Sequence, residues 1–415
     1  MLSVSQFSSQ PASPDPRSPN PDGVPRYHSR RMNTPIAPAS RLPEVGVSIF
    51  AVMTRLSNEH GAINLSQGFP DFDCAHELVA LVGEWLGRGQ NQYAPMAGVP
   101  ALRDELAKKI ETLYGAKYDP VTEITVTAGA TEALFSAITA LVHPGDEVLL
   151  FEPCYDSYVP AVRLSGGVPV FVTLRYPDYR IDWDEVALAL TPRTRLLLLN
   201  SPHNPTGMVL AADDLRQLAA LVDGSRIVVL SDEVYEHLVF DGRRHESVAR
   251  IPELAARSAV ISSFGKTFHT TGWKVGYVAA PKAISAEIQK VHQFVTFAVN
   301  TPIQHAYAEF LARGVDFGEV TRFYQAKRDR FLSLVKASRF APLACAGTYF
   351  QLLDYSAVSR ERDAEVAMRL LVECGVASIP TSAFLYRSEA PPVLRFCFAK
   401  KDETLERAAE RLRRV

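Results

Sequence analysis

Four short stretches of this 415-residue chain carry side chains able to do chemistry, and each follows a strand-like apolar run. In VTAGATE, 126–132, the chain passes through small residues into a helix-like pattern. Free N–H groups at a helix start, with its positive dipole end, make a cradle for phosphate, and the small residues Gly129 and Ala130, followed by Thr131, let an anion reach the backbone. The same pattern also serves as a plain tight connection. In NSPHNPTG, 200–207, prolines fix the backbone around Asn204, whose amide can donate to a phenolate or carboxylate oxygen, or simply complete an ordinary turn. SDEVYEH, 231–237, puts Asp232 at the end of RIVVL. A carboxylate there is costly unless it meets a cation or donors, and a protonated pyridine nitrogen is one such cation. SSFGKT, 262–267, ends another run on Lys266. Its GKT resembles the end of a P-loop, but the glycine required five residues before Gly265 is Val260, so a nucleotide loop is missing. A lone lysine here reads as a surface charge; set among the other three loops it becomes a candidate Schiff-base amine. Asp232, Glu233, Glu236 and His237 lack the H-E-x-x-H spacing of a metal site, so no metal is expected.

The elements that must position these loops alternate along the chain. Residues 101–114 place Leu102, Leu106, Ile110 and Leu113 on one helical face before Gly115, and 131–142 and 211–222 are helix-like. Strand-like runs fall at 124–126, 147–151, 168–173, 195–200, 226–231, 259–263 and 274–278. Runs such as LLLLN and IVVLS are apolar throughout, as expected for strands covered by helices on both faces of a mostly parallel sheet. Charged helices at 316–335, 361–373 and 402–414 mark a change of character. The expected architecture is therefore α/β. Residues 73–305 form a large domain, 306–415 a smaller α+β domain, and 34–72 a segment joining the latter. Residues 1–33, rich in Pro and Ser, are expected to be a disordered tail, with Met32 opening a stretch that looks like an ordinary protein start.

Bulk properties narrow the classes. A formal net charge of −2 produces no field seeking polyanions, which argues against nucleic acid or an acidic membrane surface as partner. No run approaches the roughly 18 apolar residues of a membrane span, and Ser, Pro and Asn interrupt any signal-peptide core. Five scattered cysteines without a C-x-x-C pair read as reduced thiols of a cytoplasmic protein.

Together with NLSQGFPDF (64–72), NQYAPMAGVPALR (91–103), SSFGKTFHTTGWKVGY (262–277) and RFCFAKK (395–401), the four loops resemble the class I aminotransferases of pyridoxal-phosphate fold type I. The likeness runs from about Leu42 to the C-terminus, and within the family it points to the kynurenine and glutamine aminotransferase branch with its methionine-specific members. The resemblance implies a seven-stranded large-domain sheet and pyridoxal 5'-phosphate as cofactor. Lys266 would hold the cofactor as a Schiff base and then shuttle the α-proton. Asp232 would pair with the pyridine nitrogen, Asn204 and Tyr235 with the phenolic oxygen, and Tyr155 would stack on the ring. Gly129, Ala130, Thr131, Ser263 and Lys274 would hold the phosphate; Lys274 stands where the family often has arginine, a point charge in place of a fork. Tyr93 would reach a neighbouring subunit's phosphate, which brings a homodimer with shared sites. Arg395 would bind the substrate α-carboxylate with the Gly68 backbone, though a salt-bridged arginine would also suit its apolar run.

No arginine occurs between Arg257 and Arg313, so a second substrate carboxylate would lack a cation; Phe297 and Tyr349 would line the side-chain pocket instead, or else are core residues. The implied activity is ping-pong transfer of the amino group of an apolar or aromatic amino acid, methionine favoured, to a 2-oxo acid. The competing readings are a C–S β-lyase using the same residues and a non-catalytic cofactor-binding regulator, for which no helix-turn-helix pattern precedes the fold.

Overall fold

The computed structural model describes residues 38–415, of which 42–415 cluster as one unit. The tail assigned to 1–33 lies outside the described residues. After β1 (Ile63–Asn64) come the seven strands of the main sheet: β2 (Ile124–Thr127), β3 (Glu147–Glu152), β4 (Val168–Thr173), β5 (Thr194–Asn200), β6 (Val228–Asp232), β7 (Ser258–Ser263) and β8 (Gly276–Ala279). They lie in the order β2-β8-β7-β6-β5-β3-β4. All neighbours are parallel except β8, which runs antiparallel to both β7 and β2.

The uniform apolar runs have the expected cause. In β5, Leu197 and Leu199 enter the core on one face of the sheet, and Leu196 and Leu198 enter the core on the other. Each such leucine contributes roughly 2 kcal/mol of burial, so a polar residue on either face would be costly. The helix Pro100–Tyr114 buries Leu102, Leu106 and Ile110, starts on a proline that needs no N–H partner, and stops at Gly115 with φ 77°.

A second sheet is formed from β9 (Ala341–Pro342), β10 (Phe350–Asp354), β12 (Ile379–Pro380) and β13 (Val393–Cys397), in the order β12-β13-β10-β9 and antiparallel throughout. Between them β11 (Val376–Ala377) pairs with β1, tying the residues around Ile63 to the C-terminal part of the chain. Helices Phe317–Val335 and Asp402–Leu412 share a core with this sheet through Phe331, Val335, Leu405 and Phe396.

Several boundaries differ from the sequence reading. The strand expected at 274–278 begins only at Gly276, because Lys274 takes the left-handed conformation with φ 54° and ends a short 3₁₀ turn. The helix expected from 131 begins at Gly129. That expected over 361–373 is α-helical only at Asp363–Arg369, continuing as a π turn over Leu370–Cys374 up to Gly375.

Candidate active site

Strand register brings the site together. Asn200 at the end of β5 pairs with Asp232 at the end of β6. Because β8 is reversed, its first residue, Gly276, lies beside Ser263 at the end of β7 and Thr127 at the end of β2. The carboxyl ends of four strands and the amino end of a fifth thus surround one cavity of about 320 Å³, within the range of small-molecule sites. Gly68, Gly129, Ala130, Thr131, Tyr155, Asn204, Asp232, Tyr235, Ser263, Lys266, Lys274 and Arg395 all line it.

Lys266 stands on a single helical turn, Phe264–Thr267, directly after β7. Its Nζ donates to Tyr349 Oη at 3.0 Å and to Gly68 O at 3.4 Å, and Tyr349 in turn donates to Gly68 O. Burial pulls the ammonium down to about 8, helped by Lys274 and Arg395 and opposed by Cys397 and Asp232. A nucleophilic amine needs this depression, since only the unprotonated form attacks.

Asp232 is buried, and its Oδ2 accepts from Tyr158 Oη at 2.6 Å. Burial pushes its carboxyl up to about 6, while Tyr158, the Val234 amide and Lys266 pull it down. Asn200 steadies both neighbouring loops: its Nδ2 donates to Asp232 O at 2.9 Å, and its Oδ1 accepts from the Asn204 backbone N–H at 2.8 Å.

At one end of the cavity the 13-residue helix Gly129–Leu141 begins without a side-chain cap. Gly129 has φ 76°, and a Cβ there would stand 3.3 Å from Lys274 Nζ, so the backbone N–H groups and an ammonium face the same space. Lys274 Nζ donates to Thr131 Oγ1 at 3.4 Å. Uncapped amides, a dipole end and a cation make an anion cradle.

At the other end Arg395, on β13, is 1% exposed. Its Nη1 donates to Asn204 Oδ1 at 2.6 Å and its Nη2 to Ser66 O at 3.1 Å, while its Nε has no partner among the described residues. The guanidinium lies 3.8 Å from the centre of the Phe350 ring. Burial pulls it down to about 10, so it remains cationic at neutral pH. Gly68 can pack here only without a side chain, because a Cβ would fall 2.7 Å from Phe350 Cζ.

Three expected site residues do not line the cavity. Tyr349 is buried behind Lys266, its ring edge-on to Tyr235 at 5.2 Å. Tyr93 and Phe297 lie together, edge-on at 5.4 Å, and both are exposed. Sequence reasoning missed Tyr158, Asn200, Gln67, Phe50 and Phe350, all of which line the cavity. Tyr158 lies three residues after Tyr155, and the spacing EPCYDSY was its only signal. Glu233 and Glu236 are held by protein donors: Glu233 takes Ser231 Oγ and His245 Nε2, each at 2.8 Å, and Glu236 takes Lys109 Nζ at 2.6 Å. Among the described residues no group of His, Cys, Asp and Glu is placed to hold a metal ion.

Comparison with known proteins agrees in one direction. The family model for aminotransferase class I and II matches residues 60–412. A methionine aminotransferase of Escherichia coli (strain K12) is 51% identical over 384 residues, 92% of this chain and 100% of that protein. The crystal structure of an Escherichia coli protein with a methionine aminotransferase function superposes with a TM-score of 0.90 at 51% identity, covering 92% of this chain and 100% of the other. N-succinyldiaminopimelate aminotransferase from Mycobacterium tuberculosis superposes with a TM-score of 0.88 at 39% identity, covering 91% and 99%.

Proposed function

Since this chain belongs to the class I and II aminotransferases, we propose that it moves the amino group of methionine and other apolar or aromatic L-amino acids to 2-oxo acids, using pyridoxal 5'-phosphate held by Lys266. The observation that carries the reading is that one cavity is lined by the anion cradle with Lys274, the buried amine of Lys266, the buried carboxylate of Asp232 and the buried guanidinium of Arg395. When bound, the cofactor supplies an aldehyde for the substrate amine and a conjugated ring that takes up the electron pair left at the α-carbon.

The chain's own residues then have distinct tasks. The amides of Gly129, Ala130 and Thr131, with Ser263 and Lys274, hold the phosphate. Asp232, whose ionised form Tyr158 favours against burial, would pair with the ring nitrogen. Tyr235 and the Asn204 side-chain amide would serve the phenolic oxygen, and Tyr155 would cover the ring. Arg395, fixed by Asn204 and Ser66, clasps the α-carboxylate and so orients the α-hydrogen towards Lys266. Lys266 Nζ, depressed to about 8, would take that proton from the α-carbon and pass it to the cofactor carbon that had carried the aldehyde. These roles fit a ping-pong exchange of amino acid for oxo acid.

The preference for apolar side chains is supported by the lining. Lys266, Lys274 and Arg395 are its cations and all have tasks, while Phe50, Tyr155 and Phe350 supply apolar surface. A second carboxylate would stay unpaired, at a cost of several kcal/mol by order of magnitude. We assign the cofactor to the 73–305 domain, and a smaller domain to 306–415 joined by the described part of 34–72. A homodimer accounts for the exposed Tyr93 and Phe297, which would complete a neighbour's site. The cysteines are unpaired among the described residues, in keeping with a reducing cytoplasm, and no described helix is long and apolar enough to cross a membrane.

The test is a visible-absorption titration of the purified protein loaded with pyridoxal phosphate. Methionine is expected to shift the cofactor band at concentrations where aspartate and N-succinyldiaminopimelate leave it unchanged. Borohydride should fix the cofactor to Lys266. No band, or a label elsewhere, would overturn the assignment; a shift with aspartate alone would overturn the preference.

A further inference from the structure

Close to the cavity lies a buried polar group that the proposed reaction does not use. At its centre is Glu236, 5% exposed. Its Oε1 accepts from Lys109 Nζ and Ser262 Oγ, each at 2.6 Å, and from Tyr277 Oη at 3.2 Å, and its Oε2 accepts from the Tyr114 hydroxyl. Lys109 Nζ also donates to Tyr277 Oη at 2.8 Å. Burial opposes the charge on Glu236, but Lys109, His237 and Ser262 hold it well below the ordinary carboxylate range.

What matters is where these donors sit in the chain. Two of the donors, Ser262 and Tyr277, stand on strands, where side chains alternate between faces, so their neighbours Ser263 and Gly276 face the site. Ser262 precedes Ser263 and stands four residues before Lys266. Tyr277 follows Gly276, where a Cβ would come within 2.8 Å of Ala130 N and of Ser262 O, so β8 backs directly onto the anion cradle. Glu236 itself follows Tyr235, one turn beyond Asp232, with its amide on Glu233 O at 2.9 Å. One carboxylate therefore joins the strand end that carries Asp232, the one that carries Lys266, and the strand that supports the cradle.

We propose that Glu236 is a positioning residue, whose carboxylate clamps the ends of β6, β7 and β8 in the one alignment that presents Asp232, Lys266 and the phosphate cradle to a single rigid cofactor. The inference rests on the reading of the cavity as a pyridoxal-phosphate site. A buried ion pair is weak support for stability, since apolar residues of equal volume often do as well. Fixing a site to within fractions of an ångström is a different task, which outer residues of a site perform.

Two variants test it, Glu236→Gln and Ser262→Ala; the second removes one donor without leaving Lys109 unpaired. In the holoprotein, Glu236→Gln is expected to raise the pyridoxal-phosphate dissociation constant by about tenfold, as loss of a supporting residue typically does. It should also weaken the visible circular dichroism per bound cofactor, which reports how firmly the ring is held. Ser262→Ala should move both readouts in the same direction and less far. In the cofactor-free protein, amide exchange should quicken over 231–236 and 259–266 in both variants. Wild-type cofactor affinity and dichroism in the two variants, whatever happens to thermal stability, would overturn the proposal and leave the network a purely structural one. Should the wild-type chain take up no pyridoxal phosphate, the reading of the cavity falls, and unchanged exchange in the cofactor-free variants would separately refute the clamp.

Discussion

Arg395 is held by Asn204, Ser66 and the face of Phe350, and none of the ion pairs among the described residues includes it. Keeping such a charge dry is costly, and folding alone does not reward it. Arg395→Gln is therefore expected to leave the thermal midpoint unchanged or raise it. The methionine concentration that half-saturates the cofactor shift should rise at least about a hundredfold, a loss of about 3 kcal/mol typical of an orphaned charge contact. A midpoint lowered by several degrees with methionine saturation unaltered would make the arginine structural instead. Lys266 offers a pH test on the cofactor-free protein. Its ammonium titrates near 8, so the reactive amine gains with rising pH around that point. At pH 7 about a tenth is unprotonated, against under a thousandth for an ordinary lysine. Acylation of Lys266 by a limiting anhydride should follow that curve, and a midpoint above 10 would contradict the burial argument. At this scale the sequence was most legible where a charge interrupts or follows an apolar run, as at Arg395, Asp232 and Lys266. It was least legible at Tyr158, whose partner Asp232 lies in a distant segment.

Strand ends decide whether those residues meet. Gly276 shows how tight the arrangement is, since a Cβ would stand 2.8 Å from Ala130 N, Gly129 C and Ser262 O, all of them backbone atoms. Gly276→Ala must push β8 away from the helix Gly129–Leu141. Overpacking of this kind costs about 1–3 kcal/mol. The expected outcome is a modestly lower thermal midpoint with a disproportionate loss of inorganic phosphate and pyridoxal-phosphate affinity, measured by calorimetry. Full affinity for both would mean that the cradle does not depend on β8. The inner strands such as β3 and β5 could be found from sequence because each feeds two cores at once and leaves an unbroken apolar run. Their order could not: the reversal of β8, which brings Gly276 to the site, has no mark in composition. The short strands β1, β11 and β12 were invisible for the same reason, being two residues long and defined only by distant partners. Lys274 was misplaced in a strand because its neighbours are strand-like, whereas its φ of 54° turns its ammonium to the cradle.

At the scale of the molecule the open question is what Tyr93 and Phe297 face. Tyr93 is 83% exposed and Phe297, edge-on to it, 45%, while Phe294, three residues earlier in the chain, is 84% exposed. Phe297 also holds φ 66°, a strained backbone for an aromatic residue, fixed by its amide on His292 O at 3.0 Å. Strain and exposure together are costly in a lone chain and are repaid if a second copy covers the patch. In a two-fold dimer each site would then take Lys266 from one chain and Tyr93 from the other. Lys266→Ala should abolish the proposed Schiff base, and Tyr93→Ala should strip most of the cofactor affinity, so neither variant alone is expected to turn over. When the two are unfolded and refolded together, half the dimers are hybrids, and each hybrid has one site carrying both lesions and one carrying neither. Activity should return to about a quarter of the wild-type level, the value set by random pairing of a two-fold dimer. If Tyr93 served its own chain, every site in every hybrid would keep one lesion, and mixing would restore nothing.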